Sequence, residues 1–111
     1  MSPTITIEKQ KLSHGGRYVA RVAGFEGEAE LIFSSHGPKL VSADHTEAPA
    51  SLRGTGAALA LVEYMIEDAR THGFKIAPIC PYVLAQYKRH PEWADVMKGG
   101  GPVAKDESAK G

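Results

Sequence analysis

The sequence predicts a mixed α/β (α+β) domain: an antiparallel meander of four strands, a glycine-loop helix, a fifth strand and C-terminal helices. Short stretches of β-forming residues follow one another across turn signals in the first 50 residues, which favours antiparallel pairing. After residue 50 the apolar residues recur at helical spacing instead. A glycine-rich stretch at residues 51–57 marks this change.

Alternating apolar residues and a high content of β-formers predict the strands of the meander. They cover residues 4–8, 17–22, 28–34 and 39–47. The polar stretch 9–16 ends in Gly15-Gly16 and predicts a turn between the first two strands. Pro49 closes the fourth strand, since proline has no N–H to donate to a sheet.

The chain then predicts a helix followed by a strand. The helix runs from the glycine-rich stretch to about residue 71, and Gly73 occupies the position of a left-handed cap. Residues 74–79 predict the fifth strand. Within it, Pro78 indicates a sheet edge or a place where two strands part.

Two helical segments and a tail are predicted to end the chain. Pro81 suits the first position of a helix over residues 82–89, and a last turn covers residues 92–97. From residue 98 onwards, a triple glycine and charged residues can bury little apolar surface. We therefore expect one domain over residues 1–97 and a disordered tail over residues 98–111.

Composition is that of an ordinary globular domain. The 111 residues suffice for one core, and 13 basic residues balance 13 acidic ones, so nucleic acid and anionic membranes are not expected partners. No apolar run reaches membrane-spanning length. A single cysteine fits a reducing compartment, and a cytoplasmic location is the expectation. The five histidines lack metal-ligand spacing, so no zinc site is expected.

The chain is organised around Arg53-Gly54-Thr55-Gly56-Ala57. Two close glycines permit a tight turn that leaves several N–H groups outward at a helix start, where the helix dipole favours an anion. Arg53 adds charged donors. The stretch lacks the Gly-Lys-Ser/Thr of a Walker loop and the third glycine of a dinucleotide fingerprint. It predicts a pyrophosphate cradle, although a plain glycine turn before a helix explains the same letters.

Residues 53–58 also match the pyrophosphate loop Gln/Arg-x-x-Gly-x-Gly/Ala of the GNAT-type acyltransferases. The order of the predicted elements resembles the core of that fold over residues 4–97. Three further motifs accompany the loop: His45-Thr46-Glu47, Ile79-Cys80-Pro81-Tyr82 and Arg89-His90-Pro91-Glu92. Together they resemble a small subfamily of GNAT-like acetyltransferases with a Cys-Pro-Tyr motif after strand five.

The resemblance implies acetyl-CoA as the acyl donor and an amine as the acceptor. It places the pyrophosphate at the amides of residues 53–57 and the pantetheine between splayed strands four and five. The acyl group is then expected near His45, Glu47 and Cys80. The resemblance also implies a base on strand four, which is His45 or Glu47, and Tyr82 as a candidate acid for the leaving thiolate.

Each candidate catalytic residue has a structural alternative, which for Tyr82 is packing in the core. Cys80 directly precedes a helix start, whose positive end favours a thiolate that can accept an acetyl group in a covalent intermediate. A lone cysteine beside Ile79 is also typical of a small buried residue. His45 and Glu47 are two apart on a strand and share one side, which is equally the pattern of a polar strand face.

These features predict an N-acetyltransferase, with two alternatives. GNAT enzymes usually carry one or two helices between their first two strands, where this chain has only about eight polar residues. The shortened acceptor side favours a non-catalytic acyl-CoA-binding or sensing module. A small α/β adaptor that grips phosphate on a partner is the other alternative. The presence of His45, Glu47 and Cys80 favours the enzyme.

Overall fold

The computed structural model describes residues 4–98. Its elements, in chain order, are β1 (Ile5–Leu12), β2 (Gly15–Val22), β3 (Ala29–Ser35), β4 (Leu40–Glu47), a short 3-10 helix (Ala50–Leu52), α1 (Ala57–His72), β5 (Lys75–Pro78), α2 (Pro81–Arg89) and a second 3-10 helix (Pro91–Val96). The predicted order of strands and helices is confirmed. The expected tail, residues 98–111, lies outside the described residues apart from Lys98.

The five strands form one sheet in the order β1-β2-β3-β4-β5. Strands β1 to β4 pair antiparallel, which confirms the meander. Strand β5 pairs parallel with β4. The pairing is parallel because α1 returns the chain to the end of the sheet at which β4 begins. Gly73 caps α1 with a φ of 74°, the left-handed conformation that its position predicts.

The predicted turn over residues 9–16 is wrong. Strand β1 continues to Leu12 and β2 begins at Gly15, so only residues 13–14 connect the two strands. Gly15 and Gly16 are strand residues, and a Cβ at either would collide with a backbone oxygen of a neighbouring strand. The glycine pair therefore serves close strand approach and does not form the turn.

Distant partners explain why these polar residues extend β1. Lys9 Nζ donates a hydrogen bond to the carboxylate of Asp68 on α1 at 2.6 Å. Gln10 Oε1 accepts one from Arg17 Nε on β2 at 2.8 Å. Both partners, Asp68 and Arg17, lie outside residues 9–16, the stretch that predicted a turn.

One hydrophobic core lies on a single face of the sheet, beneath both helices. Its strand members are Tyr18, Ala20, Val22, Ala29, Leu31, Phe33, Val41, Ala43 and Ile76, and its helical members include Leu61, Met65, Val83, Tyr87 and Trp93. The strand members share this face because directly paired residues project to the same side. Phe74 and Trp93, which we assign to the core from their aromatic character, are both buried.

Charged side chains cover the opposite face of the sheet. Arg17 pairs with Glu30, and Arg21 pairs with Glu8 and Glu28, at nitrogen–oxygen distances of 2.7 to 3.3 Å. About half of the Arg21 side chain remains exposed. We call this surface the open face, because its ion pairs remain in contact with solvent.

Candidate functional site

The glycine loop between the first 3-10 helix and α1 depends on two left-handed residues. Gly54 and Gly56 have φ angles of 79° and 85°, and Gly56 is the N-cap of α1. Thr55 braces the loop from inside, since its amide and hydroxyl both donate to the carbonyl of Leu52, at 3.2 and 2.6 Å. The loop is therefore a defined turn whose glycines are required by backbone conformation.

Several donors of this loop are uncommitted. The amides of Gly54, Gly56, Ala58 and Leu59 have no acceptor among residues 4–98. A Cβ built at either glycine would meet no atom within 4 Å, so the space in front of the loop is free. Arg53 is exposed and forms no ion pair within the described chain. Free amides at a helix start, open space and one cation together fit a phosphate group.

The pairing between strands β4 and β5 ends before β4 does. Their parallel pairing ends at Ala43 and Pro78, and the Cys80 amide donates to the Ala43 carbonyl at 2.7 Å. Strand β4 continues to Glu47, paired only with β3. The register between β3 and β4 shifts at this point, which leaves Asp44 as the extra residue of a β-bulge. Pro78 was predicted to mark a sheet edge or a place where two strands part; β5 is an edge strand, and its pairing with β4 ends at Pro78.

Cys80 is buried at the N-terminus of α2. Its side chain is 3% exposed, and its thiol donates a hydrogen bond to Thr46 Oγ1 at 3.4 Å. Cys80 is also the N-cap residue of α2, and Pro81 occupies the first helical turn, as predicted. The thiol thus belongs to the core cluster and lies beside the unpaired end of β4.

The predicted clustering of the three catalytic candidates does not occur. Thr46 pairs with the core residue Leu31 and points to the helix-covered face, so its neighbours His45 and Glu47 point to the open face. The two are exposed, and 3.6 Å separates His45 Nε2 from Glu47 Oε1. Strand β4 therefore separates this pair from Cys80, because alternate residues of a strand face opposite sides.

Tyr82 lies in the first turn of α2 and packs against the hydrophobic core. Its side chain is partly buried. Burial, assisted by the negative charge of Glu63 on α1, raises the pKa of the Tyr82 phenol above its ordinary value. The phenol therefore carries its proton at neutral pH, although a raised pKa also makes it a weaker acid.

A hydrogen-bonded carboxylate at the bulge is absent from the sequence prediction. Asp44 accepts hydrogen bonds from the hydroxyls of Ser34 and Ser42, and Ser42 also lies 2.8 Å from His36 Nε2. The two serines hold the carboxylate at the point where β4 leaves β5. The available signal was the Ser-x-Asp pair, two polar residues in the stretch 40–44, which is otherwise apolar.

The described residues offer neither a metal cluster nor a membrane span. Between residues 4 and 98, no three histidine, cysteine or acidic side chains are placed to share a metal ion. None of the helices in this range combines the length and apolar character needed to cross a membrane.

Comparison with known proteins agrees with this geometry. The family model described as GCN5-related N-acetyl-transferase matches residues 17–96, from β2 through the second 3-10 helix. No match was found among curated proteins. The matched range contains the glycine loop, the parted strands and Cys80. It covers well over half of the chain, and the protein therefore belongs to the GCN5-related N-acetyltransferase family.

Proposed function

We propose that this protein binds acetyl-CoA at its glycine loop and transfers the acetyl group to an amine. One combination of features carries the proposal. The glycine loop has backbone amides without acceptors in the described chain at the start of α1, and β4 extends beyond the end of its pairing with β5. The first feature suits a pyrophosphate, and the second exposes the backbone of β4 to an extended ligand. Family membership supports the same reaction class.

The residues available to hold the donor fit its chemistry. The amides of Gly54, Gly56 and Ala58 would bind the pyrophosphate oxygens, and the Arg53 guanidinium would add charge beside them. The absence of a side chain on both glycines keeps the space in front of the loop free. Acetyl-CoA, when bound, supplies an acyl thioester that is activated towards amines.

The open face favours direct transfer to the acceptor. His45 and Glu47 are solvent-exposed and 3.6 Å apart, so either can take a proton from an incoming ammonium group. Tyr82, which packs against the core on the helix-covered side, would donate a proton to the departing thiolate. Cys80 has Thr46 as its side-chain partner within the described chain, and no general base contacts it. We therefore assign Cys80 to the wall of the site in this proposal.

A non-catalytic acyl-CoA-binding module is the second candidate. The observation that favours it is the two-residue connection between β1 and β2, where the GNAT enzymes usually insert helices. The acceptor side of the site would then consist of the open face alone. A module of this kind would use the same glycine loop but would release no free CoA.

One experiment distinguishes the two candidates. The protein is incubated with acetyl-CoA, alone and with pooled primary amines, and both protein and amines are analysed by mass spectrometry. We expect CoA release that depends on the amines, together with an acetylated amine. Binding of acetyl-CoA by calorimetry without product would support the module. Failure to bind would contradict both candidates.

A further inference from the structure

A second concave site lies at the far end of α1 from the glycine loop. It has a volume of about 620 Å³, within the range of small-molecule pockets. We call it the distal pocket and define it by Lys9, Lys11, Tyr18, Tyr64, Asp68 and Phe74. Asp68 follows Gly56 by 12 positions. That spacing is about 18 Å along a helix, so the distal pocket is separate from the proposed donor site.

Aromatic side chains form much of the pocket wall. Tyr18 and Phe33 lie with their ring centroids 5.0 Å apart, and Tyr64 meets Tyr18 edge-on at 5.6 Å. Phe74 lines the same cavity. Tyr64 is nevertheless 41% exposed, which leaves a large aromatic surface in water at the rim. Such a wall suits a flat apolar ligand, because aromatic rings prefer offset or edge-on contact.

A buried carboxylate organises the charges of the pocket. The Asp68 side chain is only 8% exposed and contacts Lys9 Nζ at 2.6 Å, Tyr18 Oη at 2.7 Å and His72 Nδ1 at 2.8 Å. Burial acts to raise the pKa of Asp68, but its bonds from Lys9 and Tyr18 and the nearby charges outweigh burial and lower it. Burial, and next the bond to Asp68, raise the pKa of Tyr18. The cluster is therefore a fixed carboxylate with satisfied partners.

Unused donors of Lys9 and, within the described chain, one unpaired positive charge, that of Lys11, remain around this cluster. An ammonium group has three donors, and Lys9 uses one of them on Asp68, with no other acceptor among residues 4–98. Lys11 also lines the cavity and has no ion pair within that range. A structural link between α1 and β1 would need Asp68 and Lys9 alone. It would explain neither the open volume nor the exposed ring of Tyr64.

We propose that the distal pocket binds a small organic anion with a flat aromatic body, of the aromatic carboxylate class. Tyr64 contacts the ring, while Lys9 and Lys11 bind the anionic group. The site takes a ligand that is distinct from the acyl donor. It also lies on the helix-covered side of the sheet, whereas His45 and Glu47 lie on the open face.

The test is an NMR titration of the full-length ¹⁵N-labelled protein with 2-naphthoate, with neutral 2-naphthalenemethanol as the matched probe. We expect saturable shifts at the amides of Lys9, Tyr64, Phe74 and their neighbours, and weaker binding of the neutral probe. In Lys11→Met, the affinity for 2-naphthoate should fall about three- to fivefold, because one exposed charge pair is lost. Lys88→Met, which changes an exposed lysine on α2, should leave the affinity unchanged.

Two further variants keep the test decisive. Tyr64→Ala removes an exposed ring that packs on Tyr18 but leaves the hydrogen bonds of Asp68 to Lys9 and Tyr18 in place, and we expect it to weaken binding of both probes. Gly56→Val should retain 2-naphthoate binding, because the glycine loop is elsewhere. Shifts confined to the glycine loop, equal binding of both probes, or full affinity in Lys11→Met and Tyr64→Ala would each overturn the proposal.

Discussion

The thiol of Cys80 lies against the hydroxyl of Thr46, with Sγ 3.4 Å from Oγ1. Because Thr46 points to the helix-covered face of β4, this contact puts the thiol on the opposite side of the strand from His45 and Glu47. The covalent and direct mechanisms therefore use residues on different faces. Single substitutions can remove one set without disturbing the other.

The first prediction concerns the thiol. Cys80→Ala should retain most acetyl transfer, because no base contacts Cys80 within the described chain and the amine can be deprotonated from the open face. Steady-state kinetics with acetyl-CoA measure this, and Thr46→Val serves as the control that removes only the partner hydroxyl. A hydroxylamine-sensitive acetyl adduct that disappears in Cys80→Ala would instead establish the covalent route.

The second prediction concerns the base. His45→Ala or Glu47→Gln should lower kcat by about a hundredfold or more in whichever position holds the base, with a displaced pH profile. The affinity for CoA should change little, because the glycine loop lies on another element. Glu8→Gln removes a carboxylate from the far edge of the same face and should leave kcat unchanged. Unaltered kcat in both variants would contradict direct transfer by these residues.

The third prediction tests the glycine loop. Gly56→Val should abolish CoA binding in calorimetry, since a side chain would occupy the free space in front of the loop. Gly24→Val is a matched control, because Gly24 has the same φ of 85° and equally open surroundings. Both variants should lose about 1–2 kcal/mol of stability to left-handed strain. If Gly56→Val binds CoA as well as Gly24→Val does, the loop is not the donor site.

The fourth prediction uses the lowered pKa of Asp68. A carboxylate whose pKa is lower in the folded chain stabilises it above the unfolded pKa, about pH 4, and loses that contribution as pH falls further. Asp68→Asn should therefore cost about 1–2 kcal/mol at neutral pH and progressively less below about pH 4. Urea unfolding at a series of pH values measures the difference in the free energy of unfolding between the two proteins. Glu67→Gln, an exposed neighbour on α1, should show only a small change.

The fifth prediction concerns the C-terminal residues. A chain that ends at Lys98 should keep its melting temperature and its affinity for CoA, because the hydrophobic core is formed by residues between Tyr18 and Met97. The removed residues, 99–111, have few apolar side chains to bury. Thermal unfolding and calorimetry of the shortened chain provide the comparison. A clear fall in either quantity would mean that these residues contribute to the domain.

Local signals were sufficient to predict most of the fold. Turn residues and apolar periodicity identified the five strands, both α-helices and the last helical turn in order, because each depends on neighbours within a few positions. The 3-10 helix Ala50–Leu52 was not predicted. The extension of β1 could not be predicted in this way. It depends on Lys9 reaching Asp68, which lies far along the chain on α1. The glycine turn before α1 was predicted because backbone conformation requires glycine at positions 54 and 56, whereas the amides of Arg53, Thr55 and Ala57, which were predicted as donors, are hydrogen-bonded within the loop.

The arrangement of the catalytic candidates was harder to predict. Strand alternation correctly placed His45 and Glu47 on one side, but the side taken by Cys80 depends on how α2 packs against the sheet. The bulge at Asp44 depends on a mismatch between β3 and β4, which no single strand reveals. Both features are properties of pairing between elements, and sequence patterns within one element do not contain them.

The spatial order of the strands, which equals their order in the chain, has a consequence for folding. The first four strands pair across short turns, so each closes a small loop at little entropic cost. The pairing of Leu40 with Lys75 must instead close a long loop that contains all of α1, and it gains only four paired positions. We expect this junction to form late and to exchange its amide hydrogens early. The β4–β5 pairing, which borders the proposed acyl site, is then the part of the sheet that opens most readily.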